Sequence, residues 1–287
     1  MGAMTARIWR CRDHTFELGR RTLVMGIVNV TPDSFSDGGL FADREAAVAH
    51  GARLADEGAD LVDVGGESTR PGSDPVSVEE EMARVIPVIE GLRAARPDVV
   101  VSVDTRRAAI ATAALRAGAA VVNDVSAGRD PQMFEAVRGA GAGMVLMHML
   151  GEPKTMQDAP RYEDVVSEVH EFLRERVEAA IFAGVPQECL AVDPGIGFGK
   201  NLDHNLALLR ATPMLSDLSA ALVVGASRKR FLGALTATEA VSDRLEASLA
   251  AAAWAAAHGA DVLRVHDVAP TVRGLRVIDA IARGTSA

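Results

Sequence analysis

Side chains that can hydrogen-bond or carry charge stand at the ends of eight short apolar runs in the sequence. They are Asn29; Asp63; Asp104; Asn123 and Asp124; His148, directly after Met147; Asp193; Ser227, Arg228 and Lys229; and Arg264 with His266. A single Asp or Asn in such a place is most often a helix cap or a turn former. Polar residues at the end of every run instead predict one shared site.

Part of this set has the chemistry to line a deep polar pocket. Its members are Asp63, Asp104, Asn123, Asp193 and Lys229. Carboxylates, a carboxamide and an ammonium can together satisfy the donors and acceptors of a flat heterocycle. Buried groups of this kind each cost about a few kcal/mol when unpaired, so they imply a ligand, water or one another as partners. The alternative is a salt-bridge network without a ligand, for example between Lys229 and Asp193.

Asn29, Arg264 and His266 form a second set, which suits an anion. Arg and His donate to anionic oxygens, and Arg can do so through two parallel hydrogen bonds. The carbonyl oxygen of Asn29 suits a hard cation such as Mg²⁺, so a phosphate ester or diphosphate on Mg²⁺ would use all three side chains. The Arg-Val-His spacing places Arg264 and His266 on one face of a strand. Taken alone, a histidine in this position is more often a satisfied core residue.

Two segments, 30–40 and 65–77, are long for loops that join a strand to a helix. The first lies in GIVNVTPDSFSDGG and carries one large aromatic residue, Phe35; the second, GGESTRPGSDPVS, carries Thr69 and Arg70. Mobile loops that exclude water are common in enzymes, so we expect both loops to close over a bound molecule. The alternative for each is an ordinary exposed loop.

The glycine-rich stretch GIGFGK, 195–200, is not a phosphate-binding loop, because its spacing fails and Asn201 stands where that motif has Ser or Thr. We expect its glycines to let the backbone approach a ligand, with Phe198 over it. No set of residues has the spacing of a zinc site, and no Ser or Cys has a histidine placed by spacing to activate it.

The apolar runs are too short for globular helices and rich in Val, Leu and Ile, which predicts strands. They span 23–28, 60–65, 99–103, 119–122, 143–147, 190–192, 221–225 and 261–265. Segments with helical spacing follow them, and Ser77 and Asp130 are expected to begin two of the helices. Eight such units predict an α/β fold with parallel strands buried on both faces, a (β/α)₈ TIM barrel. The alternative is a doubly wound open sheet, which usually has fewer strands at this length.

We expect residues 1–21 to form an N-terminal extension and residues 22–287 to form one barrel domain. Within the extension, 8–10 and 15–18 have the pattern of a small hairpin that closes the bottom of the barrel. Met4 could be the natural start, which would make 1–3 an expression remnant. The active site of such a barrel lies at the carboxyl ends of its strands, where the polar residues fall.

The 287-residue chain carries a formal net charge of −9, which argues against nucleic acid as a partner. No apolar run approaches the roughly 20 residues needed to span a bilayer, so no membrane partner is expected. Cys11 and Cys189 are the only cysteines and make no disulfide framework, so a reducing cytoplasm is the simplest compartment.

Together these motifs resemble those of the dihydropteroate synthases, pterin-binding TIM-barrel enzymes of folate biosynthesis that sulfonamides inhibit. The matching stretches follow the order of that family and cover roughly residues 22–280. They are MGIVNVTPDSFSDGG (25–39), DVGGESTRPG (63–72), SVDT (102–105), ND (123–124), LMHM (146–149), DPGIGFGKN (193–201), GASRKRFLG (225–233) and RVHDV (264–268).

The resemblance implies a role for each candidate residue. The pterin would be bound by Asp63, Asp104, Asn123, Met147, Asp193, Phe198 and Lys229. The diphosphate would be bound by Asn29, Arg70, Arg264 and His266, and Asn29 would also hold Mg²⁺. The p-aminobenzoate would lie against Pro32, Phe35, Thr69, Arg70 and Pro71. Catalysis would depend on Asn29, Asp104, Lys229, Arg264 and His266.

The implied reaction condenses 6-hydroxymethyl-7,8-dihydropterin diphosphate with p-aminobenzoate to give 7,8-dihydropteroate and diphosphate, catalysed by a transferase that is usually a homodimer. Position 230 departs from the family pattern, because Arg stands where some members have a small Ser. One alternative is a pterin barrel like the methyltetrahydrofolate:corrinoid methyltransferases, which has no use for an anion site at Arg264 and His266. The other is a non-catalytic pterin-binding relative.

Overall fold

The computed structural model describes residues 7–31, 39–68 and 73–284. Its strands are β1 (Ile8–Cys11), β2 (His14–Glu17), β3 (Leu23–Asn29), β4 (Leu61–Gly65), β5 (Val100–Asp104), β6 (Val121–Asp124), β7 (Gly143–Met147), β8 (Leu190–Asp193), β9 (Ala221–Val224) and β10 (Val262–Val265). Its α-helices are α1 (Gly39–Asp56), α2 (Val78–Ala95), α3 (Ala108–Arg116), α4 (Met133–Ala140), α5 (Val165–Phe182), α6 (Leu202–Arg210), α7 (Thr212–Leu215), α8 (Arg230–Thr236), α9 (Leu245–Ala257) and α10 (Val268–Arg283).

Strands β3 to β10 form a closed parallel barrel in which β10 pairs with both β9 and β3. Helices alternate with these strands along the chain, and their apolar residues pack with the outward-facing valines of the strands, such as Val62 and Val101. This arrangement confirms the predicted (β/α)₈ TIM barrel and excludes the doubly wound open sheet.

The register of the strands separates an apolar lower layer of the barrel interior from a polar upper layer. Met25, Leu61 and Val100 are paired across three neighbouring strands and belong to one apolar cluster. Alternate residues of a strand face the same side, so the residues four positions further along face inward as well. In this upper layer Asn29, Gly65, Asp104 and Asn123 are paired in register across four strands.

The predicted N-terminal hairpin forms and closes the lower end of the barrel. Strands β1 and β2 are antiparallel, with Trp9 opposite Phe16. The Trp9 side chain is fully buried in the same cluster as the lower barrel residues, and its Nε1–H donates to the carbonyl of Cys189 at 3.1 Å. The polar strand-end residues lie at the opposite end of the barrel, where the strands finish.

One of the two expected helix starts is wrong. Ser77 caps α2 as predicted, because its hydroxyl oxygen accepts from the N–H of Glu80. Helix α4, however, begins at Met133. The Asp130 carboxylate instead accepts from the N–H of Gln132 and from the N–H of Ala108 at the start of α3. Of the helices in the described ranges, none is long and apolar enough to cross a membrane.

Candidate active site

The carboxyl ends of the barrel strands surround a cavity of about 650 Å³. Its lining includes Asn29, Phe198, Lys200, Lys229, Arg264 and His266. Among the described residues that line it, Asp104 is the only carboxylate, whereas Arg228, Arg230 and Arg244 add further positive charge. A concave surface with this excess of cations favours an anionic ligand.

Below this cavity Arg264 joins two buried carboxylates. Its Nε donates to Asp63 Oδ2 at 2.7 Å and its Nη2 donates to Asp104 Oδ2 at 2.7 Å. Asp63 Oδ2 also accepts from Asn123 Nδ2 at 2.9 Å. The anticipated ion pair of Lys229 with Asp193 is not among those that the described residues form; Arg264 is the cation that pairs with two of the pocket carboxylates.

Arg264 therefore belongs to both of the sets that the sequence separated. It was assigned to the anion set with Asn29 and His266, and it does line the large cavity with them. Its guanidinium also lies among the residues of the predicted polar pocket, next to Asp104 and Asn123. A long side chain on an inward-facing position reaches across the boundary between the two sets.

The residues predicted to form the polar pocket converge around a second, narrow cavity. Its lining includes Asp104, Asn123, Met147, Asp193, Phe198, Lys229 and Arg264. The cavity has a volume of about 10 Å³, which is room for about one water molecule. Lys229 Nζ lies 3.8 Å from the ring centroid of Phe198, a cation–π contact between two residues of this lining. Asp193 Oδ1 accepts from the N–H of Gly195 at 2.7 Å.

Burial changes the protonation of these groups. It raises the pKa of Asp104 to about 7, because desolvation, together with the charge of Asp63, outweighs the opposing effect of Arg264. Burial, and then the charge of Arg264, lowers the pKa of Lys229 to about 7. Burial also raises the pKa of Asp193. The pKa values of Asp104 and Lys229 thus both lie near neutral pH, and perturbed values of this kind cluster at functional sites.

His266 and Ser227 form the upper wall of the large cavity. The hydroxyl oxygen of Ser227 accepts from the backbone N–H of His266 at 3.2 Å and lies 3.1 Å from His266 Nδ1. Burial, and then the charges of Arg264 and Arg228, lowers the pKa of His266 to about 3. The ring is therefore neutral near pH 7, and its Nδ1 can accept from the Ser227 hydroxyl while Nε2 carries the proton.

Comparison with known proteins identifies the family. Residues 25–266 match the family described as pterin binding enzymes. Dihydropteroate synthase from Escherichia coli strain K12 is 47% identical over 257 residues, which cover 90% of each chain. The solved structure of Xanthomonas albilineans dihydropteroate synthase with 4-aminobenzoic acid is 51% identical, with a TM-score of 0.91 over 97% of this chain and 99% of that one. Its complex with 7,8-dihydropteroate is 48% identical, with a TM-score of 0.87 over 96% and 99% of the two chains.

The chain belongs to the dihydropteroate synthase family. The resemblance inferred from the motifs is thereby confirmed, and the chain is a transferase of folate biosynthesis. The residues proposed for the loops of this family, Pro32, Phe35, Thr69, Arg70 and Pro71, lie outside the described residues.

Two glycines of the stretch 195–200 allow a close approach between two parts of the protein backbone. A Cβ on Gly195 would lie 1.8 Å from the carbonyl oxygen of His148, and one on Gly199 would lie 2.5 Å from that of Leu150. Both glycines have positive φ, and they allow the loop to pack closely against the segment after β7. Gly197 alone of the three lines the large cavity.

Lys200 was not recognised from the sequence. Its buried Nζ donates to the carbonyl of Phe198 at 3.0 Å and contacts His148 Nδ1 at 2.9 Å. Burial lowers the pKa of His148 to about 3, so the neutral ring can accept this hydrogen bond. Lys200 thus fixes the loop that carries Phe198. A lysine that follows a strand-end Asp and three glycines was the available signal.

Two strand-end residues do not reach the site. The Asp124 carboxylate accepts from the N–H groups of Ser126 and Gly128, so it is a turn former. His148 packs edge-on against Phe172 at a centroid distance of 4.9 Å. Asp124 and His148 therefore have a structural role, which is the commoner role of a polar residue at the end of a strand.

Proposed function

We propose that the chain condenses 6-hydroxymethyl-7,8-dihydropterin diphosphate with p-aminobenzoate to give 7,8-dihydropteroate and diphosphate. One observation carries the proposal: a polar pocket around Asp104, Asn123 and Asp193 lies directly beneath a basic cavity, and Arg264 lines both. The pocket suits a flat heterocycle and the cavity suits the diphosphate attached to it. Support also comes from relatives solved with 4-aminobenzoic acid and with 7,8-dihydropteroate.

The pterin would be held by polar groups at its edge and by apolar side chains on its faces. Asp104, Asn123 and Asp193 offer acceptors and donors for the ring nitrogens and the exocyclic groups. Met147 and Phe198 belong to a small apolar cluster on the same wall. Because the space between these groups is only about 10 Å³, we propose that the pterin enters by separating the Lys229 ammonium from the Phe198 ring.

In the proposed reaction the bond between the pterin methylene and the diphosphate oxygen breaks, and a bond from the methylene to the amine nitrogen forms. The nitrogen then loses a proton. Negative charge grows on the leaving diphosphate, where donors from Arg264 and His266 would stabilise it. Positive charge grows on the methylene, where Asp104 and Asp193 would stabilise it when ionised. Because an aromatic amine is a weak nucleophile, its placement matters.

We propose Mg²⁺ as the cofactor, with Asn29 as its protein ligand. The described residues contain no group of three or more His, Cys, Asp or Glu that could hold a metal ion. The donor set fits Mg²⁺ nonetheless, because Mg²⁺ keeps several waters and is commonly bound by one or two protein oxygens together with substrate phosphates. Asn29 lies beside Arg264 and His266 in the cavity lining. When bound, Mg²⁺ would neutralise charge on the diphosphate.

We further propose a homodimer formed through the last helices. Several large apolar side chains of α8–α10 are exposed to solvent, namely Leu235, Trp254, Val277 and Ile281. Exposed apolar surface of this kind marks an interaction site when it is contiguous. A single Ile281→Glu substitution should shift the protein from dimer to monomer in sedimentation equilibrium.

Both cysteines are free thiols, which supports the proposed cytoplasmic location.

The experiment that tests the function measures diphosphate release from the dihydropterin diphosphate with Mg²⁺, with and without p-aminobenzoate. We expect release together with 7,8-dihydropteroate when both substrates are present. Binding of the pterin substrate without turnover would refute the proposal and favour a non-catalytic pterin-binding protein. Binding of methyltetrahydrofolate, with no binding of the diphosphate substrate, would favour a methyltransferase-like barrel.

A further inference from the structure

Arg228 has a backbone conformation that is uncommon for a residue with a side chain. Its φ is 58°, in the left-handed region. It stands in a turn between β9 and α8 that is closed by a hydrogen bond from the N–H of Lys229 to the carbonyl of Ala226 at 3.3 Å. The third position of such a turn is usually Gly when its φ is positive. Conformations of this kind persist where the surroundings impose them, and they cluster at functional sites.

The turn lets the two neighbours of Arg228 reach the cavity from either side. Ser227 is hydrogen-bonded to His266, and Lys229 lies over the ring of Phe198. The Arg228 side chain also lines the cavity, and it forms two hydrogen bonds with the carboxylate of Asp267, at 2.9 and 2.6 Å. The placement of Ser227 and Lys229 therefore depends on the conformation of the residue between them.

Two residues at the start of α9 hold that conformation, one just before the helix and one in its first turn. The N–H of Arg228 donates to the hydroxyl oxygen of Ser248 at 2.9 Å, and its carbonyl accepts from Arg244 Nη1 at 3.1 Å. Arg244 precedes α9 and Ser248 is in its first turn, where the Ser248 hydroxyl donates to the Arg244 carbonyl at 2.6 Å. Both backbone groups of the left-handed residue are thus bound to the same end of α9.

The surroundings leave room for this contact. A Cβ on Gly233 of α8 would lie 2.7 Å from Arg244 Nε, so the guanidinium reaches the turn only because that position has no side chain. Arg244 Nη2 donates to the carbonyl of Glu239 at 2.7 Å, which fixes the guanidinium from its other side. Arg244 also lines the large cavity, whereas Ser248 is not part of its lining.

We propose that Arg244 and Ser248 are positioning residues for the reaction, which hold the backbone of Arg228 so that Ser227 and Lys229 face the cavity. The kinetic part of this inference rests on the proposed function. Its structural part does not, because the hydrogen bonds to Arg228 can be followed without any substrate.

The structural test is hydrogen exchange at the Arg228 amide. In Ser248→Ala the N–H loses its acceptor, and we expect its exchange to become roughly tenfold faster or more, as for the loss of a net hydrogen bond. The matched control is Ser219→Ala, because Ser219 is another buried serine, whose hydroxyl donates to the carbonyl of Ala221 at the start of β9. Unchanged exchange at Arg228 in Ser248→Ala would overturn the proposal.

The kinetic test compares Arg244→Met and Ser248→Ala with the wild-type protein. We expect each to lower kcat/KM for the diphosphate substrate by roughly tenfold, and Arg244→Lys to recover part of the loss. Arg12→Met is the control for Arg244, because Arg12 Nη1 also donates to two backbone carbonyls, those of Leu115 and Ala119. A defect in Arg244→Met with wild-type kinetics in Ser248→Ala would indicate direct substrate contact by Arg244 and would overturn the proposed positioning.

The conformation of Arg228 gives an independent test. Arg228→Gly and Arg228→Ala both remove the ion pair with Asp267, but only Gly adopts a positive φ without strain. We expect the Gly variant to keep several-fold more activity than the Ala variant, and the reverse order would contradict the inference. If the wild-type protein forms no dihydropteroate, the proposed function fails, and the exchange measurement still decides whether Ser248 holds the turn.

Discussion

Replacing Arg264 by Met should destabilise the protein by an amount that grows with pH. The guanidinium compensates two buried carboxylates, since the Asp63 side chain is 0% exposed and that of Asp104 is 9% exposed. Methionine fills similar space but carries no charge. Removing one partner of a buried ion pair typically costs about 3–5 kcal/mol, because the other charge is left uncompensated. Protonation of Asp104 removes its share of this cost, and the protonated fraction depends on pH.

The protonation of the Asp104 carboxyl explains why the destabilisation by Arg264→Met grows with pH. Its pKa is already raised to about 7 in the folded protein, against 3.8 as its ordinary value. A raised carboxyl pKa means that the folded state binds the proton more tightly, so this group contributes stability at low pH that is lost as the pH rises through 7. Arg264 opposes the shift. Without it the pKa rises further, and each added unit costs about 1.4 kcal/mol more at a pH above both values.

We therefore expect Arg264→Met to lower the free energy of unfolding by about 2 kcal/mol at pH 6 and by about 3–5 kcal/mol at pH 9. Urea unfolding of both proteins at the two pH values measures the difference. Arg264→Lys should lie between them, and Arg12→Met should cost the same at both pH values, because Arg12 Nη1 donates to backbone carbonyls. A penalty for Arg264→Met that is equal at the two pH values, or larger at pH 6, would refute the reasoning.

Three other substitutions test separate parts of the molecule. Phe198→Leu removes the aromatic face against which the pterin would lie, a contact of about 1 kcal/mol, so steady-state kinetics should show KM for the pterin substrate about 5-fold higher; an unchanged KM would exclude that role. Asn29→Ala should raise the Mg²⁺ concentration for half-maximal activity about tenfold, and an unchanged Mg²⁺ titration would remove Asn29 as a ligand. Trp9→Ala should cost about 3–5 kcal/mol in urea unfolding without a change in either KM, because Trp9 is fully buried at the opposite end of the barrel.

The barrel could be predicted because its strands are buried on both faces. Such strands are continuous apolar runs, and the run at 143–147 coincides with β7. The polar residues at the strand ends could be assigned to one site because the carboxyl ends of parallel strands meet at one edge. The start of α4 was missed because the Asp130 carboxylate is shared with the N–H of Ala108, which is a tertiary contact.

The positions of long side chains could not be predicted in the same way. Spacing along β10 gives the face on which Arg264 lies, but not that its guanidinium reaches Asp63 and Asp104 on two other strands. The left-handed conformation of Arg228 had no signal either, because the residue type expected at that turn position is Gly. Both features depend on contacts between elements that are far apart in the sequence.

Arg264 also explains why the pterin and the diphosphate should not bind independently. In the structure two of its nitrogens are engaged by Asp63 and Asp104. A pterin that hydrogen-bonds to Asp104 competes with one of these contacts and changes the charge that the guanidinium presents to the cavity above. A diphosphate that attracts the guanidinium in turn leaves Asp104 less compensated and its protonated form more favoured. The two halves of the proposed substrate are therefore coupled through one side chain, which a division into separate pockets would miss.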